Sequence, residues 1–294
     1  MYTIKQNNHH LIIENTQQKV YSKIHLNEGA SLQELTLNGH ALITDLSPLT
    51  YSDTYASSIL FPFASRIRDG KYEFNGEKFQ LDTNQREEKN ALHGLVYNKL
   101  FTVLKKEEHN DYAAVLLEYV ENDKSQGFPF TYTIQIEYRC TQTELSVKIN
   151  VKNTDDRVFP FTIGWHPYFN SSDLYSSYLD FNSDKTLTYD AKNITKEVVD
   201  FNNDSSFTIE DKQLDNCFLL KDNSVEFTTP KYRFSIESSA KENFLQVYTP
   251  PKKNIIAIEP TTGVADSFNN NIGLQTLASN EVYKIDWTLK LKNI

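Results

Sequence analysis

Three features of the sequence predict an all-β protein, built as one large antiparallel β-sandwich. Hydrophobic and polar residues alternate with a period of two throughout the chain, and helical periodicity is hard to find over any ten residues. No Gly-, Ser- or Pro-rich linker divides the chain, so residues 1–294 are expected to form a single domain. A closed barrel also fits the alternation, but the length favours a sandwich with more strands than an immunoglobulin domain.

The clearest strand signals lie in the middle and at the end of the chain. Residues 132–139 and 145–152 each alternate strictly and predict the two strands of one hairpin. Residues 283–292 alternate in the same way. Asn75-Gly76 predicts a tight hairpin turn, because an Asn-Gly pair readily supplies two residues with positive φ, and Asn38-Gly39 can repeat it.

Charge and composition exclude several kinds of partner and cofactor. The chain has 30 Lys and Arg against 39 Asp and Glu, a net charge of −9, which argues against nucleic-acid binding. It contains no P-loop, dinucleotide fingerprint or Cys/His metal spacing, so no cofactor and no metal are expected. Cys140 and Cys217 are too few for a disulfide framework and indicate two buried or idle thiols in a reducing compartment.

The N-terminus lacks the basic start and apolar run of a signal peptide, and no apolar stretch approaches the roughly 18 residues of a membrane span. We therefore expect a cytoplasmic protein with no membrane partner. It would be a monomer or a homodimer.

Two segments break the alternation in the first half of the chain. ILFPFASRIRDG ends an apolar run in Arg66 and Arg68, whose guanidinium forks suit hydroxyl groups or a carboxylate. ALHGL places His93 next to a glycine, which allows a ligand to approach closely. Each segment also has a purely structural explanation, as a solvated arginine pair or a hydrogen-bonded core histidine.

Two further segments combine an ionisable residue with a proline. In FTIGWHPYFN, Pro167 should end a strand and leave His166 at its terminus, flanked by aromatic residues. In IIAIEPTTGVAD, Glu259 follows an apolar strand that Pro260 should end. His166 could instead belong to an aromatic core plug, and Glu259 could face water. Together they form a candidate acid–base pair.

With these segments in place, the sequence resembles the aldose 1-epimerase, or mutarotase, family. The resemblance spans about Phe61 to Phe268 and rests on the order and content of six motifs. The motifs are ASRI with Arg66, LHG with His93, GWHPYFN with His166, LDNCF with Asp215, LQVYTPP with Tyr248 and IEPTTGVADSFN with Glu259. GWHPYFN is the most specific of the set.

The resemblance implies a galactose mutarotase-like supersandwich that binds a small-molecule sugar in a cleft. It implies that Glu259 removes the proton of the anomeric hydroxyl, while His166 protonates the ring oxygen, so that the two anomers interconvert through the open aldehyde. Arg66, His93 and Asp215 would hold sugar hydroxyls. Tyr248 and Trp165 are expected to contact the sugar as well. We expect His166 and Glu259 to face each other across the cleft, too far apart to bond.

Three alternatives remain open from the sequence. The chain is shorter than the best-known galactose mutarotases, and its ASRI and HGLV forms differ from their usual Asn-Arg-Ile and His-Gly-Gly forms, so the sugar is undetermined. A hexose-6-phosphate 1-epimerase would need a basic pocket, for which Arg66, Arg68 and Arg86 are available. A non-catalytic carbohydrate-binding protein and a glycosidase using Asp215 and Glu259 are the other two.

Overall fold

The structure, a computed structural model, describes residues 1–202 and 206–292, which are almost entirely β-strands and turns. The strands are β1 (Thr3–Asn7), β2 (His10–Asn15), β3 (Val20–His25), β4 (Ser31–Leu37), β5 (His40–Ile43), β6 (Ile59–Leu60), β7 (Arg66–Ile67), β8 (Lys71–Phe74), β9 (Glu77–Gln80), β10 (Ala91–Leu92), β11 (Thr102–Glu108), β12 (Ala113–Glu121), β13 (Tyr132–Cys140), β14 (Glu144–Asn153), β15 (Phe159–Phe161), β16 (Gly164–Trp165), β17 (Tyr168–Asn170), β18 (Tyr178–Tyr189), β19 (Thr195–Asp200), β20 (Phe207–Thr208), β21 (Asp215–Thr228), β22 (Arg233–Ser238), β23 (Asn243–Tyr248), β24 (Ile255–Thr261), β25 (Gln275–Leu277) and β26 (Val282–Lys292). Two one-turn helices, α1 (Tyr51–Thr54) and α2 (Ser267–Asn270), and two short 3-10 turns (Arg68–Gly70 and Leu174–Ser176) complete the described elements.

The strands form two large antiparallel sheets and three small two-stranded ones. The smaller of the large sheets has the order β1-β2-β3-β4-β5. The larger runs β11-β12-β13-β14-β26-β22-β21-β23-β24-β16-β6, with β17 also paired to β24 and β18 carrying β19 and β20 beside β21. The fold class predicted from the sequence is therefore confirmed.

The predicted hairpins are also confirmed. Tyr138 pairs with Val147 in the hairpin of β13 and β14, and the register continues along both strands. Asn75 and Gly76 have φ of 50° and 79° and connect β8 to β9, as the Asn-Gly turn requires. Asn38 and Gly39 repeat the turn between β4 and β5 with φ of 48° and 84°.

The two large sheets pack face to face, and the alternation explains how. On β13 every second side chain is buried, and these residues join one apolar cluster with the inward residues of β2, β3 and β4. The hydroxyl of Tyr138 donates to the carbonyl of Ala30 at 2.9 Å, which ties the larger sheet to the smaller one. The opposite face of β13 carries polar side chains that are partly exposed.

The strand β24 does not end where the sequence predicted. Pro260 lies inside it, and the strand continues to Thr261. The backbone N–H groups of Ile258 and Thr262 donate to the carbonyls of Pro167 and Ile163. Because alternate residues face the same neighbour, Pro260 turns its missing donor toward the interruption between β16 and β17. Pro167 does end β16, as predicted.

Candidate active site

A cavity of about 510 Å³ opens over the larger sheet and collects most of the residues singled out from the sequence. This volume lies in the range of about 300–1,000 Å³ typical of small-molecule sites. Six of the seven predicted site residues line it: Arg66, His93, His166, Asp215, Tyr248 and Glu259. The seventh, Trp165, lies elsewhere.

The floor of the cavity is one face of four neighbouring strands. The register pairs Gly164 with Thr261 and Tyr168 with Ala257, so the residues between them keep the same alignment. His166 therefore stands directly opposite Glu259. The next strands continue this row with Gln246 of β23 and Cys217 of β21. Tyr168, Tyr248 and Asp215 lie two residues away on the same face, because side chains alternate along a strand.

His166 and Glu259 are in direct contact, so the prediction that they stand too far apart to bond is wrong. His166 Nε2 lies 3.3 Å from Glu259 Oε1. The reason is their cross-strand register, which brings opposite side chains within a few ångströms of each other. An acid–base role is compatible with this contact, because the two oxygens that exchange protons during anomer exchange are bonded to the same sugar carbon.

Both members of the pair are almost fully buried, with exposed fractions of 5% for His166 and 3% for Glu259. Burial raises the pKa of Glu259 well above its usual value, and nearby Asp215 raises it further while Arg66 opposes the shift. Burial lowers the pKa of His166 to about 3, with a further lowering from Arg66. Both shifts favour the uncharged forms, in which the pair holds a single exchangeable proton.

The wall opposite the floor carries Arg66 and His93. Arg66 begins β7, which pairs with β10 just before His93, and the His93 backbone N–H donates to Ser65 at 2.8 Å. His93 has a φ of 63° and is followed by Gly94, whose missing side chain lets the carbonyl of Phe61 approach. The ring of His93 lies 5.0 Å from that of His166, edge to face. The two histidines are far apart in the sequence, but their rings meet inside the cavity.

Three cavity-lining residues have a buried nitrogen atom that lacks a hydrogen-bond partner. Among the described residues, His93 Nδ1, His166 Nδ1 and Arg66 Nε are buried and have no hydrogen-bond partner. Buried polar atoms are usually paired, so three such atoms on cavity-lining residues indicate a place for a polar ligand. Burial lowers the pKa of His93 well below its usual value, so its imidazole is neutral too.

Asp215 is held between a cation and an amide. Its carboxylate lies 4.0 Å from Arg66 Nη2 and accepts a hydrogen bond from Gln246 Nε2 at 2.6 Å. The hydroxyl of Tyr189 donates to the other end of the Gln246 amide at 3.3 Å. Burial nevertheless raises the pKa of Asp215, against the lowering by Arg66 and Gln246.

Trp165 is a correction to the sequence prediction. It is fully buried, its ring stacks on Trp287 at 6.5 Å, and it belongs to the main core. The cause is the alternation itself: Trp165 precedes His166, so its side chain points to the opposite face of the sheet. It cannot contact a sugar in the cavity.

We therefore expect Trp165→Phe to destabilise the protein without changing sugar affinity. Loss of part of a packed indole should lower the free energy of unfolding by about 1–3 kcal/mol. Urea unfolding measures this loss, and the KM of the folded variant should equal that of the wild type. A KM raised several-fold with unchanged stability would place Trp165 at the sugar after all.

The structure adds residues to the site that were missed in the sequence. Gln246, Tyr168 and Cys217 line the floor, and each lies two residues from a predicted position, so strict alternation could have found them. Tyr55 and Asn84 line the wall from loops, where no periodic signal exists. Arg86, named from the sequence for a phosphate pocket, lies along the cavity with Glu87 and Glu88, in the same loop as Asn84.

Four further expectations from the sequence concern Arg68, the cysteines, metal ions and membrane spans. Arg68 does not line the cavity and pairs with Asp190. Both cysteines are free and buried. Over residues 1–202 and 206–292, no group of three or more His, Cys, Asp or Glu side chains is arranged to hold a metal ion. Within the same ranges no helix has the length and apolarity needed to span a bilayer.

Comparison with known proteins agrees with the motifs. The aldose 1-epimerase family model matches residues 12–290. The uncharacterized protein YihR of Escherichia coli K12 is 28% identical over 269 residues, covering 87% of this chain and 86% of that protein. The aldose 1-epimerase of the same strain is 27% identical over 163 residues, covering 52% of this chain and 45% of that enzyme.

Among solved structures, a galactose mutarotase-like protein from Clostridium acetobutylicum superposes with a TM-score of 0.88 at 20% identity, covering 100% of this chain and 99% of its own. At that identity the likeness shows the fold. The family match covers nearly the whole sequence, and this chain belongs to the aldose 1-epimerase family.

Proposed function

We propose that this protein is an aldose 1-epimerase that interconverts the α and β anomers of a free aldose. The observation that carries the proposal is the contact between His166 and Glu259 at 3.3 Å on the floor of a sugar-sized cavity. An acid and a base must act on adjacent oxygens of one sugar carbon, and this pair places both groups at one point. Family membership supports the same chemistry.

In the proposed reaction Glu259 acts as the base and His166 as the acid. When the sugar binds, its oxygen atoms solvate the charged forms of Glu259 and His166 in place of water. The proton that the pair shares then passes from Glu259 to His166. Glu259 then takes the proton of the anomeric hydroxyl, the C1–O1 bond becomes a carbonyl, and the C1–O5 bond breaks. His166 protonates O5. Rotation about C1–C2 and the reverse steps close the ring on the other face.

The remaining cavity residues would hold the sugar. Arg66 and Asp215 offer a donor and an acceptor to vicinal hydroxyls, and His93 offers a neutral imidazole beside the acid. Tyr248 lies two residues from Gln246 on the floor, where its ring can pack against a sugar face.

The charges around the cavity favour an uncharged sugar over a sugar phosphate. Asp53, Glu87 and Glu88 line the cavity beside Arg86, so a phosphate at this end would meet three carboxylates against one arginine. Arg66 faces Asp215, and Arg68 is paired with Asp190 outside the cavity. Arginines that could clamp a phosphate are therefore few.

A substrate panel tests this function against its alternatives. We expect the protein to accelerate anomer exchange of galactose or glucose above the spontaneous rate, and to act poorly on glucose 6-phosphate. Faster exchange of the phosphate would identify a hexose-6-phosphate 1-epimerase. Sugar binding with exchange at the spontaneous rate would indicate a carbohydrate-binding protein. Release of reducing ends from an oligosaccharide would identify a glycosidase.

The enzymatic rate should have a bell-shaped dependence on pH, because the active pair carries one proton. On the acid side a second proton disables the pair, and the lowered pKa of His166, about 3, puts this limb at low pH. On the alkaline side the pair loses its only proton, and the raised pKa of Glu259 moves this limb above the usual carboxyl range. Polarimetry at each pH, with the spontaneous rate subtracted and folding checked by circular dichroism, measures both limbs. An enzymatic rate that rises steadily from pH 4 to 9 would contradict the shared proton.

A further inference from the structure

Five aromatic rings form a continuous chain from the cavity wall to the floor. Tyr97 contacts Tyr55 at 4.8 Å, and Tyr55 contacts His93 at 4.9 Å. His93 then contacts His166 at 5.0 Å, and His166 stacks on Tyr168 at 5.0 Å with an interplanar angle of 23°. The two imidazoles of the site therefore lie between two tyrosines, Tyr55 on one side and Tyr168 on the other.

Hydrogen bonds fix the two tyrosines that flank the imidazoles. The hydroxyl of Tyr168 donates to the backbone carbonyl of Thr54 at 3.2 Å, so Tyr168 is tied to the residue that precedes Tyr55. The hydroxyl of Tyr55 accepts a hydrogen bond from Asn84 Nδ2 at 3.1 Å. Both tyrosines are almost fully buried, with exposed fractions of 8% for Tyr55 and 2% for Tyr168. Neither ring can reorient without breaking a bond.

The backbone at these rings adopts positive φ angles, which are uncommon for residues other than glycine. Tyr55 and His93 have φ of 50° and 63°, and Ser65, which accepts the His93 N–H, has φ of 58°. Such left-handed residues other than glycine persist only when the surroundings enforce them, and they gather at functional sites. Tyr55 and His93 both adopt this conformation, and their rings lie 4.9 Å apart.

We propose that Tyr55 and Tyr168 are positioning residues that set the orientation of His93 and His166 through ring contacts. The inference rests on the proposed anomer exchange for its kinetic consequences, but the ring orientations can be measured without it. Tyr55 acts on the imidazole that would hold the sugar, and Tyr168 acts on the imidazole that would supply the proton. The two tyrosines therefore control different kinetic constants.

Leucine substitutions test this division. We expect Tyr55→Leu to raise KM about 10-fold with a smaller change in kcat, because His93 loses its packing partner. We expect Tyr168→Leu to lower kcat by about 10- to 100-fold, because a small displacement of a proton donor is costly. Tyr55→Phe and Tyr168→Phe keep the rings and should retain the greater part of both constants. Tyr55→Met and Tyr168→Met replace the leucine variants if those do not fold.

Tyr232→Leu is the matched control. Tyr232 is equally buried, at 5% exposed, stacks on Phe234 at 6.1 Å, and does not line the cavity. Its loss should cost comparable stability and leave the kinetic constants of the folded fraction unchanged. If the leucine variants at positions 55 and 168 behave like this control, the positioning role is refuted.

Imidazole signals in NMR spectra of ¹³C-histidine-labelled protein give a readout that does not depend on turnover. The ring signals of His93 should move in Tyr55→Leu and those of His166 in Tyr168→Leu, with the phenylalanine variants close to the wild type. Unmoved signals in both leucine variants would overturn the proposal. If the wild-type protein catalyses no exchange but the leucine variants show these shifts, the proposed function is overturned and the positioning role stands.

Discussion

Glu259→Gln should lower kcat for anomer exchange by at least about 10²-fold while leaving the sugar able to bind. The amide keeps the volume of the carboxyl group but cannot accept the proton of the anomeric hydroxyl, and positioned proton transfer typically contributes about 10²–10⁴-fold. Polarimetry of galactose gives kcat, and titration of sugar against intrinsic fluorescence gives affinity. An unchanged kcat would remove Glu259 from the proton transfer.

The same substitution should change stability in a direction that depends on pH. The folded protein keeps the Glu259 proton above pH 4.5, where the unfolded chain releases it, so wild-type stability falls as pH rises through this range. Glutamine does not titrate. The Tm of Glu259→Gln minus that of the wild type should therefore become more positive between pH 5 and pH 8.

Glu237→Gln is the matched control for the activity measurement. Glu237 is a half-exposed carboxylate paired with Lys290 at 2.9 Å, outside the cavity. This control should keep full activity. A Tm difference for Glu259→Gln that stays constant between pH 5 and pH 8 would mean that burial does not raise the pKa of Glu259.

His166→Asn should lower kcat by a factor comparable to that of Glu259→Gln. Asparagine can still donate a hydrogen bond from this position, so sugar binding should survive, but it cannot deliver a proton to the ring oxygen. The double variant should be little worse than either single one, because the two residues act as one proton-sharing unit. If the fold losses in kcat of the two single variants multiply in the double variant, the two residues contribute independently.

The stability of His166→Asn has the opposite pH dependence. The folded protein leaves His166 uncharged at pH values where the unfolded histidine, with a pKa of 6.5, takes up a proton. Wild-type stability therefore falls as pH decreases below 6.5, and the asparagine variant lacks this loss. His109→Asn, with an imidazole half exposed outside the cavity, is the control and should match the wild type in activity.

The strand pattern was sufficient to predict the all-β fold, and the family motifs identified Asp215 and Tyr248 on the floor. Period-two alternation fixes which side chains share a face, so His166, Glu259 and Tyr248 were recoverable once their strands were recognised. The same rule should have excluded Trp165, since it directly precedes His166. Once alternation places one side chain of a strand on the cavity face, it places the side chains directly before and after it on the opposite face.

Three features could not be predicted from the pattern. The contact between His166 and Glu259 depends on the register of strands 93 residues apart in sequence, which no local signal specifies. Pro260 was expected to end β24, but its missing donor falls where the neighbouring strand is interrupted. The contributions of Tyr55 and Asn84 come from loops whose conformations are set by tertiary contacts.

The most direct test of the proposed function is magnetisation transfer between the anomeric protons of galactose in the presence of the protein. We predict transfer well above the spontaneous rate with wild-type protein near neutral pH, and transfer close to the spontaneous rate with Glu259→Gln at equal concentration. Wild-type protein that leaves the transfer at the spontaneous value for galactose, glucose and their 6-phosphates would contradict the assignment of anomer exchange to the His166–Glu259 pair.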